Sequence, residues 1–323
     1  MISLRSIASA GLCIAVAACS RSGPPSAAAG PAAGEQLTTT SPDGVRIAYH
    51  VYGHGDPAVV LIHGWACDSS YWRAQIADLA SKYTTVTLDL AGHGASGRNR
   101  TDWSMANFGR DVAAVVERLP NRRIVLVGHL MGGPVALEAA PLVGDRLIGV
   151  IGVDTFTSLD RPPPAPQALE MQIAPFRTDF VGYMHRFVPQ LFAKSADPAF
   201  VRKVADDMSR EPPQIAIASL ISLNTLDFGT LLPRIHVPIV AIDSDLGHTP
   251  APDEARIRRI YPAFHAVMLM NPGHFLMLED PQRFNPVLMQ EIAHLISAQA
   301  GPGPASKELH ARDGSDATRS PAS

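Results

Sequence analysis

Six residues constrain this chain more than any others: Gly128-His129-Leu130-Met131-Gly132-Gly133. An apolar run, 124–127, leads into them, and a helix-forming stretch, 135–140, leads out. Strand, sharp turn and helix in that order make an elbow, and a Gly-x-Ser-x-Gly elbow lifts a hydroxyl above the end of a parallel sheet. Glycine is required on both flanks, because a Cβ there would collide with the neighbouring strand or helix. Every part of the pattern is present except the hydroxyl. Position 130 is leucine, which has neither a lone pair nor an acidic proton and cannot act as a nucleophile.

Around the elbow the chain alternates. Residues 46–52 alternate apolar and polar side chains as a half-buried strand does, and 58–62, 85–88, 124–127, 147–153, 238–242 and 266–270 read as strands covered on both faces. Helical patterns fall at 71–82, 104–119, 254–260 and 286–298, the second opened by Ser104 as N-cap. Repeated strand–helix units predict an α/β fold, with a mainly parallel central sheet and helices on both faces. The alternation breaks between about 155 and 235. Three prolines, 162–164, are followed there by helical patterns at 180–192, 198–209 and 213–223, which predict a helical cap over the carboxyl edge of the sheet. The competing reading is a peripheral insertion with no part in ligand choice.

The ends of the chain differ in character. Residues 1–18 read as a secretory leader, with Arg5 in the positive region and a short apolar stretch ending in Val16-Ala17-Ala18-Cys19. That ending resembles the lipobox of a bacterial lipoprotein. The resemblance implies a lipid anchor on Cys19, a membrane as partner, and a place in the bacterial cell envelope on the periplasmic or outer-membrane side. An ordinary cleaved leader with an incidental cysteine is the alternative. Residues 19–36, rich in Ala, Pro, Gly and Ser, read as a flexible linker, and 301–323 as a disordered tail, leaving 37–300 for the folded domain. Only Cys67 of the three cysteines falls inside it, so no intramolecular disulfide forms there. A net charge of -3 and no basic stripe argue against nucleic acid as a partner.

Four motifs follow one another in the folded region: His63-Gly64-Trp65 after a strand, Asp89-Leu90-Ala91-Gly92-His93-Gly94-Ala95-Ser96 after the next, the elbow, and a late Gly273-His274. Together they make residues 40–298 resemble the α/β-hydrolase superfamily of serine esterases and lipases. The resemblance assigns His274 as the proton shuttle and the amides of Trp65 and Met131 as the oxyanion hole. For the carboxylate that orients the histidine it ranks Asp245 first, then Asp154, then Asp243. His63, His93 and His129 read as loop and elbow structure, while His248 and His265 carry no motif. Cys67, Ser69 and Ser70 lie just past the oxyanion loop, but not on an elbow aimed at His274. The histidines lack paired ligand spacing, so no metal site is expected, and acyl transfer on side chains and amides implies no cofactor.

These readings predict a relative of hydrolases that act on small ester, lactone or amide substrates, impaired because Leu130 replaces the nucleophile. Its partner would be a small apolar ester-like molecule. Two alternatives stand beside it. One is a non-catalytic binding protein with Leu130 in the pocket floor. The other is a residual hydrolase in which an Asp–His pair activates water directly.

Overall fold

A computed structural model describes residues 34–246 and 252–299. Its centre is one eight-stranded sheet, β1 (Glu35–Thr40), β2 (Arg46–Tyr52), β3 (Ala58–Ile62), β4 (Thr84–Leu88), β5 (Ile124–His129), β6 (Leu147–Val153), β7 (Ile239–Ser244) and β8 (Phe264–Leu269). The spatial order is β1-β2-β4-β3-β5-β6-β7-β8. β1 pairs antiparallel with β2, and β2 antiparallel with β4; every other neighbouring pair is parallel. The predicted α/β class and mainly parallel sheet are therefore present.

The run that sequence marked at 266–270 as covered on both faces is the half-buried edge strand β8, with Met270 exposed, because it has a neighbour on one side only. Most of the other strands so marked are buried, β3, β5 and β6 along their whole length and Val86 and Leu88 of β4 completely. The reason is the crossover geometry, which lays helices such as Met105–Val116 and Gly132–Val143 over the sheet faces. Phe108, Val112 and Val115 of the first, and Val135, Ala136 and Leu137 of the second, have no exposed surface. Away from the sheet, Arg100 closes a buried network, donating to Asp111 Oδ1 at 2.5 Å and to Asp43 Oδ2 at 2.6 Å, and Asp111 accepts from Ser41 Oγ at 2.6 Å. It ties the segment after β4 to the β1–β2 turn, and a buried guanidinium needs such partners.

Two expectations need correction. Strand β1 takes in Glu35 and Gln36, which composition assigned to the linker; they pair with Val51 and His50 because the edge of β2 offers unpaired backbone groups. The helix expected at 71–82 is a 3₁₀ turn, Ser69–Trp72, followed by a short helix, Ile76–Ala80. Between β6 and β7 the chain is helical, with helices Pro166–Thr178, Phe180–Phe187, Pro198–Met208 and Pro213–Asn224. The first of these begins directly after the proline run, with Pro166 at its first position, where a missing N–H costs nothing. The leader, Cys19, most of the linker, His248 and the tail from 301 lie outside the described residues.

Parallel strands bring their carboxyl ends to one edge. The segments that follow β3, β5, β6, β7 and β8 therefore meet there, with β5 flanked by β3 on one side and β6 on the other.

Candidate active site

The elbow is built as its glycines require. A Cβ on Gly128 would lie 2.1 Å from the Gly132 backbone, and one on Gly132 would lie 2.4 Å from Ile62 O. Between them Leu130 sits at the tip with φ +45°, a left-handed conformation that costs a non-glycine residue about 1–3 kcal/mol. The surroundings hold it there: Leu130 N donates to Val153 O at 3.0 Å, and its own carbonyl accepts from Gly133 N at 3.0 Å and from Thr155 Oγ1 at 2.6 Å. The strained turn that presents a nucleophile is intact, and what it presents is an isobutyl group.

The amide of Met131 follows the tip and opens the helix Gly132–Val143; the amide of Trp65 lies in the turn after β3. Neither finds an acceptor among the described residues. Both residues are buried, and an amide left unpaired in such a place is available to an incoming oxygen. The Trp65 turn is fixed from two sides. Its indole Nε1 donates to Ala216 O of the helix Pro213–Asn224 at 2.7 Å, and Gly64 lets His129 approach, since a Cβ there would stand 2.7 Å from His129 Nδ1.

His274 follows β8 and lies on the loop that returns toward β5. Its Nδ1 lies 2.5 Å from Asp154 Oδ2, and both side chains are buried. Nδ1–H donates a hydrogen bond to that carboxylate, which fixes the tautomer with the lone pair on Nε2; Nε2 has no partner among the described residues. The loop is clamped. His274 N donates to Leu191 O at 2.7 Å, and Glu279 accepts from Gly273 N at 3.1 Å, Ala193 N at 3.2 Å and Phe275 N at 3.2 Å. Glu279 and Thr155 were not picked out from sequence. An acid closing the apolar run Phe275-Leu276-Met277-Leu278, directly after His274, was the available signal for the first.

The three candidate acids separate clearly. Asp154 stands at the end of β6, beside β5, with φ +49°, and its second oxygen accepts from Ser244 N at 3.2 Å. Asp245, ranked first from sequence, is exposed; its carboxylate accepts from Asn271 N at 2.5 Å and caps the loop after β8. The physical reason is the strand order: β7 lies one strand further from the elbow than β6. Asp243 is buried, and among the described residues the one group that favours its charged form is the Thr155 backbone, too far or too bent for a well-formed hydrogen bond. Burial, then the neighbouring Asp154 charge, push it up to about 7.

The remaining histidines and Cys67 are held in other ways. His63 Nε2 accepts from Leu90 N at 3.0 Å, so its Nδ1 donates to Gly64 O at 2.8 Å, and burial lowers its pKa. His93 bonds Ala91 O at 3.0 Å and is pushed down to about 3 by burial, while His129 Nε2 donates to His274 O at 3.0 Å. Both stay neutral and hold loops. His265 is largely exposed, 3.6 Å from Glu254. Cys67 Sγ donates to Trp65 O at 3.3 Å, and burial raises its thiol well above the ordinary range, so it does not ionise there. Among the described residues no group of three or more His, Cys, Asp or Glu is placed to hold a metal ion.

Trp65, Leu130, Asp154 and His274 line one cavity of about 710 Å³. Its other walls come largely from the helices between β6 and β7, through Ile173, Phe176, Tyr183, Phe187, Leu220 and Leu223. Asp154 and His274 supply polar groups at the sheet edge, and Arg161, Gln172 and Asn224 add others from the segment between β6 and β7, within a lining that is otherwise mainly apolar.

With that geometry in hand, comparisons with known proteins are decisive. The model of the alpha/beta hydrolase family matches residues 59–287. The chain belongs to the alpha/beta hydrolase family. Its similarity to a pimeloyl-[acyl-carrier protein] methyl ester esterase of Nitrosomonas europaea is 26% identity over 245 residues, 72% of this chain and 94% of that protein. A karrikin insensitive 2 receptor of Petunia hybrida is 24% identical over 267 residues, 79% of this chain and 97% of that protein. Among solved structures, a thermophilic esterase from Thermogutta terrifontis superposes with a TM-score of 0.70 at 25% identity, covering 81% of this chain and 99% of that one. This α/β hydrolase is thus related to esterases over nearly the whole described domain.

Proposed function

We propose that this α/β hydrolase carries an esterase-type site whose acyl transfer stops at Leu130, and that it binds a small apolar carbonyl compound in its cavity. The observation that carries this reading is the contrast at one position. The elbow keeps its strained conformation, and His274 keeps both its carboxylate and a free Nε2, but the residue between them has no proton to surrender. The carbonyl oxygen of a bound ligand would take the unpaired amides of Trp65 and Met131, with its apolar body against Phe176 and its neighbours. An esterase relative and a receptor relative both fit a scaffold that can serve either end.

Short p-nitrophenyl esters test it. The unchanged protein should hydrolyse p-nitrophenyl butyrate little faster than buffer, and Leu130→Ser should raise kcat/KM by more than about 10³-fold, the reverse of what nucleophile loss costs serine hydrolases. Equal rates well above buffer in both proteins would overturn the reading and favour direct activation of water by His274. Two inert proteins that bind the ester would overturn it in favour of a non-catalytic binding protein. The same reading places the chain in the bacterial envelope, anchored through Cys19, on the leader sequence alone. Palmitate labelling that survives Cys19→Ala would refute that part.

A further inference from the structure

Acyl transfer needs His274 to take a proton from residue 130, and Leu130 withholds it. The rest of the proton-transfer machinery remains assembled. With Nδ1–H donated to Asp154, the Nε2 lone pair has no hydrogen-bond partner among the described residues. The amides of Trp65 and Met131 lack acceptors among the described residues. The cavity in front of them is walled by aromatic and aliphatic side chains. A base, an oxyanion hole and an apolar chamber without a nucleophile suit a reaction in which the ligand itself supplies the acidic proton.

We propose that the site enolises a bound ketone, with His274 removing a hydrogen from the carbon next to the carbonyl. The Cα–H bond breaks and its proton passes to Nε2. The electron pair left on Cα forms the carbon–carbon double bond as the carbonyl π pair moves onto oxygen. The Trp65 and Met131 amides receive that oxyanion, and Asp154 stabilises the imidazolium. Return of a proton from Nε2 to carbon closes the cycle, and nothing is oxidised or reduced. Leu130 is then a working part of the site: it bars attack on the carbonyl carbon and keeps Nε2 free for the carbon acid. The inference rests on the reading that the cavity takes a carbonyl ligand, but not on any esterase activity.

Deuterium exchange reads the step directly. The unchanged protein is incubated in buffered D₂O with 4-phenylbutan-2-one, and loss of the proton signals beside the carbonyl is followed by NMR. Quenching of tryptophan fluorescence, to which Trp65 in the cavity wall contributes, reports binding. The expected result is saturable exchange, at least about 100-fold slower in His274→Ala, the scale of a positioned general base. Should His274→Ala fail to fold, Leu130→Ser serves: its hydroxyl competes for Nε2, so exchange should slow while ester hydrolysis appears. Exchange at the buffer rate with the ketone bound would overturn the proposal, and so would failure of the ketone to bind at saturating concentration. A Leu130→Ser protein without esterase activity would contradict the esterase-type reading of the site, while saturable, His274-dependent exchange by the unchanged protein would still support enolisation.

Discussion

Replacing Asp243 with asparagine should shift relative stability toward the variant as pH rises from acid to base. Asp243 is buried on β7, and burial, then the Asp154 charge beside it, outweigh the lowering by the Thr155 backbone and push it up from 3.8 to about 7. A carboxyl whose folded pKa is raised binds its proton more tightly when folded, so the folded state loses stability as pH rises from the unfolded value through the folded one. The penalty is absent well below pH 3.8 and complete above about 7. At about 1.4 kcal/mol per pH unit the full penalty is about 4 kcal/mol, of which about 3 kcal/mol accrues between pH 5 and 8. Asparagine keeps the shape and cannot ionise. Its own unpaired amide has a cost, but that cost does not vary with pH. Urea unfolding of both proteins at pH 5 and pH 8 therefore isolates the charge: the stability difference between variant and unchanged protein should move toward the variant by about 3 kcal/mol across that interval. A difference that stays constant would show that Asp243 ionises as freely folded as unfolded, and that its burial is not what the structure describes.

Other predictions concern the histidine loop and the acid. In the Leu130→Ser background, Asp154→Asn should lower kcat on p-nitrophenyl butyrate by about 10³-fold or more, because the imidazole loses its tautomer, whereas exposed Asp245→Asn should change it less than about threefold. Parity between the two variants would return Asp245 to the role that sequence gave it. Glu279→Ala removes the acceptor for three backbone amides around His274 and should cost about 1–3 kcal/mol in urea unfolding, with Glu279→Gln recovering part. Glu279→Ala as stable as the unchanged protein would show that solvent satisfies those amides.

The sequence carried most of the framework because buried parallel strands announce themselves. Residues 46–52, 58–62 and 147–153 were legible to the residue, since unbroken or alternating apolar runs bounded by polar turns have few other uses. β1 was missed because its threonines and Glu35 give an edge strand no apolar signal. The helix Pro166–Thr178 was missed because it is polar and begins in prolines. The turns at Gly64, Gly128–Gly133 and Gly273 were legible because each is local and has obligatory glycines. The acid was not. Asp154, Asp243 and Asp245 all stand at strand ends before His274, and only the lateral order of β5, β6 and β7 decides which carboxylate the imidazole meets. No local pattern encodes that order. Glu279 was hidden for a related reason: its partners are backbone amides, which leave no mark on composition.

On the proposed reading the site lacks a nucleophile and nothing else. Intact-mass analysis after treatment with a fluorophosphonate reads this, because phosphonylation requires a serine activated by the histidine and received by the oxyanion amides. The expected result is no adduct on the unchanged protein, and a single adduct on Leu130→Ser that maps to position 130 and disappears when His274→Ala is added. A folded Leu130→Ser protein that stays unlabelled, or an adduct on the protein with Leu130 in place, would contradict it.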